Sequence, residues 1–182
     1  MIIGITGTHG AGKGTIVKFL KKKGFIHCSA TSLINEFLDK EGMAHSRDDM
    51  RFMANKMRAD HGNGFIAKIY IERAKEQDLG NIVIESIRHL DELKEIKDNS
   101  GIMISVDAPI CVRYERIISR RSSKDAVDFE TFKKQEELEL NGTGSEQQIR
   151  LCMEHSDYSI YNDGTIYELD KKLEELFGEI NS

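Results

Sequence analysis

An α/β domain with a mainly parallel sheet is the fold class that three observations predict. Five short apolar runs alternate with stretches of helical periodicity along 182 residues. The runs at Ile82-Val83-Ile84 and Ile102-Met103-Ile104 are continuously apolar, as suits strands covered on both faces. Between the first run and the first helix lies a glycine-rich stretch, Gly7-Thr8-His9-Gly10-Ala11-Gly12-Lys13-Gly14-Thr15. The length fits one domain with a substantial core, spanning residues 1–182 without a linker, repeat or low-complexity segment.

The elements follow in order. Ile2 to Thr6 reads as the first strand. After the loop, Ile16 to Lys23 is helical and ends in Lys21-Lys22-Lys23-Gly24, where lysines suit a helix C-terminus and glycine suits the stop. Phe25 to Cys28 is a short second strand, and Ser29 to Ser32 a turn and N-cap. Leu33, Ile34, Phe37 and Leu38 then recur at helical spacing. Arg47 to Ala59 is helical, with Met50, Met53, Met57 and Phe52 expected in the core. Asn63-Gly64 breaks it from a helix over Gly64 to Gln77. Asn81 to Ser86 and Ile102 to Val106 are strands, with a short helix over Leu90 to Lys97 between them. Pro109 opens a helix that continues from Ile110 to Arg121. Ser122 to Asp128 is polar and irregular. Phe129 to Leu140 is helical with a glutamate-rich face expected in solvent, and Asn141 to Gly144 breaks it. A helix over Glu146 to Glu154 and a strand over Tyr158 to Tyr161 follow. Thr165 to Glu168 is a capping box for a last helix striped by Leu169, Leu173, Leu176, Phe177 and Ile180. That stripe fits the chain's own core or a second copy, so a monomer or homodimer is expected.

The glycine-rich stretch carries the chemistry. Its G-x-x-x-x-G-K core curls the backbone so that N–H groups and a helix N-terminus cradle polyphosphate, and Lys13 reaches the β- and γ-phosphates. The usual Ser or Thr after the lysine is Gly14 here, with Thr15 one step on. His9 lies inside the loop and faces the ligand without being a base. Ligands of such sheets bind beyond the carboxyl ends of the strands. Glu85 stands at such an end and is expected to hold Mg2+ directly or through water, the alternative being a helix-cap acid. Arg88, three residues on, reads as an anion ligand or a surface ion pair. Arg113, Arg116 and Arg120 fall at i, i+3 and i+7, with Arg121 beside them. Like charges at that spacing repel, and either a polyphosphate or the glutamate-rich helix relieves them. Arg47, Arg51 and Arg58 sit in the long stretch from Ser29 to Gly80, which reads as a helical insertion able to hold a second substrate. There they are acceptor ligands or solvated side chains.

Composition narrows the partners. The formal net charge of −5 argues against non-specific affinity for nucleic acid or anionic membrane. Cys28, Cys111 and Cys152 show no C-x-x-C spacing, so neither a disulfide framework nor a zinc site is expected. They read as small apolar residues in a reducing compartment. No stretch is long and apolar enough for a signal peptide or a membrane span, so a cytoplasmic protein is expected.

Several of these residues resemble the nucleoside monophosphate kinases of the P-loop superfamily. Gly12-Lys13-Gly14-Thr15 is similar to the adenylate kinase form. Glu85-Ser86-Ile87-Arg88 resembles that family's acid-Gly-x-x-Arg element, with Glu and Ser as substitutions. Asp107-Ala108-Pro109 through Arg121 is similar to the strand and helix leading into its lid. His155 to Thr165 also resembles dephospho-CoA kinase, in the segment that lies against adenine. The resemblance covers nearly the whole chain. It implies a P-loop NTPase three-layer α/β/α sandwich with a five-stranded parallel sheet in the order 2-3-1-4-5. A helical acceptor-binding insertion over about 30–80 and a short lid over about 120–131 complete it.

The resemblance implies an ATP- and Mg2+-dependent phosphotransferase acting on a nucleoside or deoxynucleoside monophosphate. Residues 7 to 15 would bind the ATP phosphates, and Asn162, Gly164 and Thr165 would border the adenine. Arg116 and Arg120 would sit on the transferred phosphoryl group, with Lys13 and Glu85. Ser29, Arg47, Arg51, Arg58 and Arg88 would face the acceptor. Asn35 stands where adenylate kinase has an arginine after the Ser29 turn, and the lid is short. The alternatives are a dephospho-CoA-kinase-like enzyme and an ATP-binding switch that transfers no phosphate.

Overall fold

β1 (Ile2–Gly7) runs through the middle of a sheet whose strand order is β2-β3-β1-β4-β5, with every neighbour parallel. The other strands are β2 (Ile26–Ser29), β3 (Ile82–Glu85), β4 (Ile102–Asp107) and β5 (Tyr158–Tyr161). This computed structural model describes residues 1–119, 128–140 and 148–181, with every side chain among them but those of Arg47, Leu138 and Glu139. The break expected over 141–144 and most of the expected lid lie outside the described residues.

The alternation of strand side chains explains the two cores. Ile3, Ile5 and Val83 point to one face, where they meet Ile16, Val17 and Leu20 of α1 (Lys13–Lys22) and Leu169 and Leu173 of α9 (Ile166–Ile180). Ile82, Ile84, Cys28 and Met103 point to the other face. There they pack on α4 (Phe65–Glu76), α5 (Leu90–Asp98) and α8 (Ile149–Glu154). The residues that read as continuously apolar are therefore divided between two helical layers.

A third cluster joins α2 (Ala30–Lys40), α3 (Arg47–His61) and α4 through Leu33, Ile34, Leu38, Met53, Met57 and Ile66. Arg73 of α4 forks onto Glu36 of α2 at 2.7 and 2.8 Å. That fork, with Lys40, holds the Glu36 carboxyl down at about 2. Two expectations are corrected here. α2 starts at Ala30 straight off β2, with Ser29 extended at its N-cap, so the turn over Ser29 to Ser32 does not form. Phe52 is 56% exposed, because Met53 and Met57 fill the α3 face that meets α2.

α6 (Ile110–Ser119) follows Pro109, and α7 (Phe129–Leu140) packs against it through Tyr114, Phe129 and Phe132. The glutamate-rich face of α7 is not wholly solvated: Glu136 is buried against Arg113. α9 opens with the expected capping box, Thr165 and Glu168 bonding each other's backbone N–H. Its stripe packs inward, with Phe177 meeting Phe19 and Phe25 edge-on. Leu173→Ala should therefore cost about 2–5 kcal/mol and lower the melting temperature by roughly 5–15 °C. Tyr167→Ala, at a position 78% exposed, should shift it by no more than about 1 °C. Equal shifts in a thermal melt would contradict the inward packing.

Candidate active site

The loop between β1 and α1 curls with left-handed backbone at Gly7, Gly10 and Gly12. Such a curl aims N–H groups inward and turns carbonyls outward, and those carbonyls need donors. Lys13 Nζ donates to the carbonyls of Gly7 and Thr8, each at 2.8 Å. Arg113 Nη1 donates to His9 O at 3.3 Å. Asn162 Nδ2 donates to Ala11 O at 2.7 Å. The first turn of α1 covers Gly12 O through the N–H of Thr15 at 2.9 Å. Space closes around three of the glycines. A side chain at Gly7 would run into the Val106 carbonyl of β4, a Cβ at Gly10 would meet the Arg113 carbonyl at 2.8 Å, and one at Gly12 would meet Asn162 Nδ2 at 2.5 Å. The loop is thus a preformed cradle whose dimensions only glycine allows.

Asp107, at the end of β4, accepts from Thr8 Oγ1 at 2.6 Å and from the Ala108 N–H at 2.8 Å. Sequence reasoning passed it over, although the strand-end rule that selects Glu85 also selects Asp107. Arg113 is 5% exposed. It forks onto Glu136, bonds Ala108 O at 2.6 Å, and lies 3.6 Å from Asp107. Of the two partners expected for the arginine helix, Arg113 takes the glutamate-rich helix, with loop carbonyls beside it. Arg116, expected on the transferred phosphoryl group, is held by backbone carbonyls. Its guanidinium donates to Asn162 O at 3.0 Å and Gly164 O at 3.1 Å, on the segment that opens α9. Arg113 and Arg116 thus hold different carbonyls, those of His9 and Ala108 for the one and those of Asn162 and Gly164 for the other. Arg120 and Arg121 lie outside the described residues.

A cleft of about 770 Å³ opens beside the loop, of a size that takes one small molecule. His9 and Gln135 form one side. Ser29, Ala30, Thr31 and Ile34 come from β2 and α2. Asp48, Met50, Arg51, Ala54, Asn55 and Arg58 come from α3, and Glu85, Ser86 and Arg88 follow β3. The structure therefore brings Ser29, Arg51, Arg58, Glu85 and Arg88 together with the phosphate loop. Arg47 opens α3, and its side chain is outside the described set. Gly164 and Thr165 adjoin Asn162, on the far side of the loop from the cleft. Asn55 and Gln135 have no motif around them that could have announced them.

Charge in the cleft is arranged unevenly. Arg51 is exposed and sits 3.4 Å from Asp48. Arg58 is half-buried, and its Nε is buried with no hydrogen-bond partner among the described residues. Desolvation, and to a smaller extent the Arg88 charge, lowers its affinity for the proton, while Glu92 raises it. Glu92 is 2% exposed and accepts the N–H groups of Arg88 at 2.8 Å and His89 at 3.2 Å, which fixes the loop carrying Arg88. Complete burial pushes the Glu92 carboxyl up, against those bonds and Arg58. Ser86 takes left-handed backbone, φ 69°, at the position where the resembling family has glycine.

Glu85 ends β3, level with Ile5 of β1, and its carboxylate accepts from His27 Nε2 at 2.9 Å. Among the described residues no group of three or more His, Cys, Asp or Glu side chains is placed to hold a metal ion. Mg2+ on a polyphosphate needs only one or two carboxylates beside water and phosphate oxygens, so Glu85 fits that ion. Burial raises the Cys28 thiol to about 11 and the Cys152 thiol to about 12, so neither is a nucleophile at neutral pH.

Comparison with known proteins agrees with the geometry. An AAA domain family model matches residues 3–140. A UPF0200 protein of Sulfurisphaera tokodaii is 32% identical over 182 residues, covering 98% of this chain and 97% of its own. The chain belongs to the UPF0200 family. A further UPF0200 protein, from Thermococcus kodakarensis, is 28% identical over 189 residues, covering 100% of this chain and 99% of its own. Among solved structures, TT1252 from Thermus thermophilus superposes with a TM-score of 0.67 at 18% identity, covering 98% of this chain and 97% of that one. A shikimate kinase from Bacteroides thetaiotaomicron gives 0.61 at 15% identity, covering 98% of both. The chain therefore has the kinase-like fold of P-loop NTPases. No helix among the described residues is long and apolar enough to cross a membrane.

His89, 1% exposed at the head of α5, offers a pH test. Burial first, then Arg58, depress its pKa from 6.5 to about 4, with Asp91 opposing and Arg88 adding a little. Between those values the unfolded chain binds the proton and the folded chain does not. Stability is thus full above pH 6.5 and falls as pH drops toward 4. From pH 6.5 to 5 the loss from this group is about 2 kcal/mol, at roughly 1.4 kcal/mol per unit. His89→Gln should shrink the loss measured by urea unfolding at pH 7 and pH 5 by about that amount. A variant as acid-sensitive as the parent would contradict the assignment.

Proposed function

We propose that the protein is a Mg2+-dependent kinase that moves the γ-phosphoryl group of ATP onto a nucleoside or deoxynucleoside monophosphate. The observation that carries this reading is the cleft itself. It runs from His9 of the phosphate loop to Arg88 and Arg58, two arginines that repel each other. The Arg58 Nε is already desolvated and lacks a partner among the described residues. An acceptor phosphate between them would supply that partner and cancel the repulsion. Asn55, Gln135 and Thr31 give polar contacts for the rest of the acceptor, and Ile34, Met50 and Ala54 an apolar wall.

The residues then take these roles. Backbone N–H groups of residues 7 to 15 hold the donor phosphates. Lys13 turns from the loop carbonyls to the β- and γ-phosphates and offsets charge on the equatorial oxygens. Mg2+, when bound, neutralises charge between those phosphates, and Glu85 would hold it with water. Arg88 and Arg58 align the acceptor phosphate for in-line attack, so catalysis is chiefly positioning. Arg116, with Asn162, Gly164 and Thr165, borders the donor base instead of the transferred group. A cytoplasmic location and a monomer or homodimer remain part of this reading, supported by composition and the inward-packed α9.

ADP formation from Mg-ATP should rise at least tenfold with one member of a panel of ribo- and deoxyribonucleoside monophosphates. Lys13→Ala should lower turnover by about a hundredfold or more with an unchanged far-UV circular dichroism spectrum. Arg88→Ala should raise the acceptor KM at least tenfold and leave the ATP KM within twofold. Stimulation by dephospho-CoA or shikimate instead would assign a hydroxyl acceptor. ATP binding with no stimulation by any acceptor would favour a switch.

A further inference from the structure

Glu85 does not stand alone at the end of β3. His27 belongs to β2, the edge strand, and lies level with Val83, while Ser29 lies level with Glu85. Side chains alternate along a strand, and level residues of parallel neighbours share a face. His27, Val83 and Glu85 are therefore on the α1 face of the sheet. His27 sits one step back from Glu85, on the side away from the cleft. Its distal nitrogen, Nε2, meets Oε2 of Glu85 at 2.9 Å. Both side chains are largely shielded, His27 at 27% exposure and Glu85 at 22%. Glu85 nevertheless lines the cleft beside the phosphate loop.

We propose that His27 is the positioning residue for Glu85, tying one carboxylate oxygen back to β2 so that the other is presented to the phosphate loop. The proposal rests on the kinase reading for the metal that Glu85 would hold. A glutamate has three rotatable side-chain bonds and, unrestrained, spreads its carboxylate over many positions. A histidine on a paired strand has two, with its backbone already fixed by the sheet. One hydrogen bond from it selects a single glutamate geometry before the metal arrives. Ligands of metal sites are commonly held by such outer partners, whose loss costs about tenfold to a hundredfold in affinity. A plain surface ion pair would be worth little to ligand binding and indifferent to the metal.

The test is a calorimetric titration with a non-hydrolysable ATP analogue, with and without Mn2+. In the parent, Mn2+ should tighten binding of the analogue. In His27→Leu that tightening should shrink at least fivefold, with metal-free affinity within twofold of the parent. His27→Gln, which keeps a donor near the position of Nε2, should retain most of it. His27→Leu combined with Glu85→Gln should lose no more than Glu85→Gln alone. Undiminished tightening in His27→Leu, an equal loss in His27→Gln, additive losses in the double variant, or no tightening in the parent would each overturn the proposal. Metal-dependent binding without turnover on any acceptor would overturn the kinase reading and leave His27 where it is placed here.

Discussion

A phosphate cradle is a backbone turned inside out, and that constraint governs the rest of this molecule. N–H groups that face a ligand leave carbonyls facing the protein, where each one buried without a donor would cost about 1–3 kcal/mol. The donors come from four directions: Lys13 within the loop, Thr15 at the head of α1, Arg113 on α6 and Asn162 after β5. Thr8 adds a fifth tie, to Asp107 at the end of β4. The central place of β1 follows from this need. Only a middle strand sets its loop within reach of β3 on one side and β4 on the other.

The buried fork between Arg113 and Glu136 extends the same constraint into α7. Removing either partner would strand a charge in the interior, at about 3–5 kcal/mol. The exposed i,i+4 pairs such as Lys94 with Asp98 are screened by solvent and contribute little. Magnitude therefore separates the pair that shapes the site from those that decorate the surface. Glu136 is held inside, so its neighbour Gln135 reaches the cleft, and the Phe132 ring lies 6.4 Å from that of His9. Loop and cleft wall are parts of one packed unit.

The sheet was legible because its signals are local. Continuous apolar runs mark the buried strands, and the spacing of Gly7, Gly12 and Lys13 marks the loop. Strand order came through family resemblance, since nothing in a single run says which run it pairs with. Strand-end position also found Glu85 and Arg88. The arginine helix was legible only in part, because repulsion at i, i+3 and i+7 shows that anions are needed without choosing between a polyphosphate and the glutamate-rich helix. For Arg113 they are Glu136 of that helix and Asp107. Asp107 was within reach of the strand-end rule, whereas Glu92 and Asn55 carry no motif, and their roles arise only when the chain folds them against Arg88 and the cleft. Ser29 is the local error: a serine reads as a turn, yet here its extended backbone leads straight from β2 into α2.

The central claim is that the phosphate loop and the arginine-lined cleft form one site for a donor and an acceptor together. Equilibrium binding of two-headed adenosine–pentaphosphate–nucleosides, one for each acceptor base and measured against ATP, tests it most directly. At least one of them should bind about a hundredfold more tightly than ATP, because a second head held by Arg58 and Arg88 adds its contacts without a second loss of translational freedom. Affinities no better than that of ATP for every base would contradict a joined site.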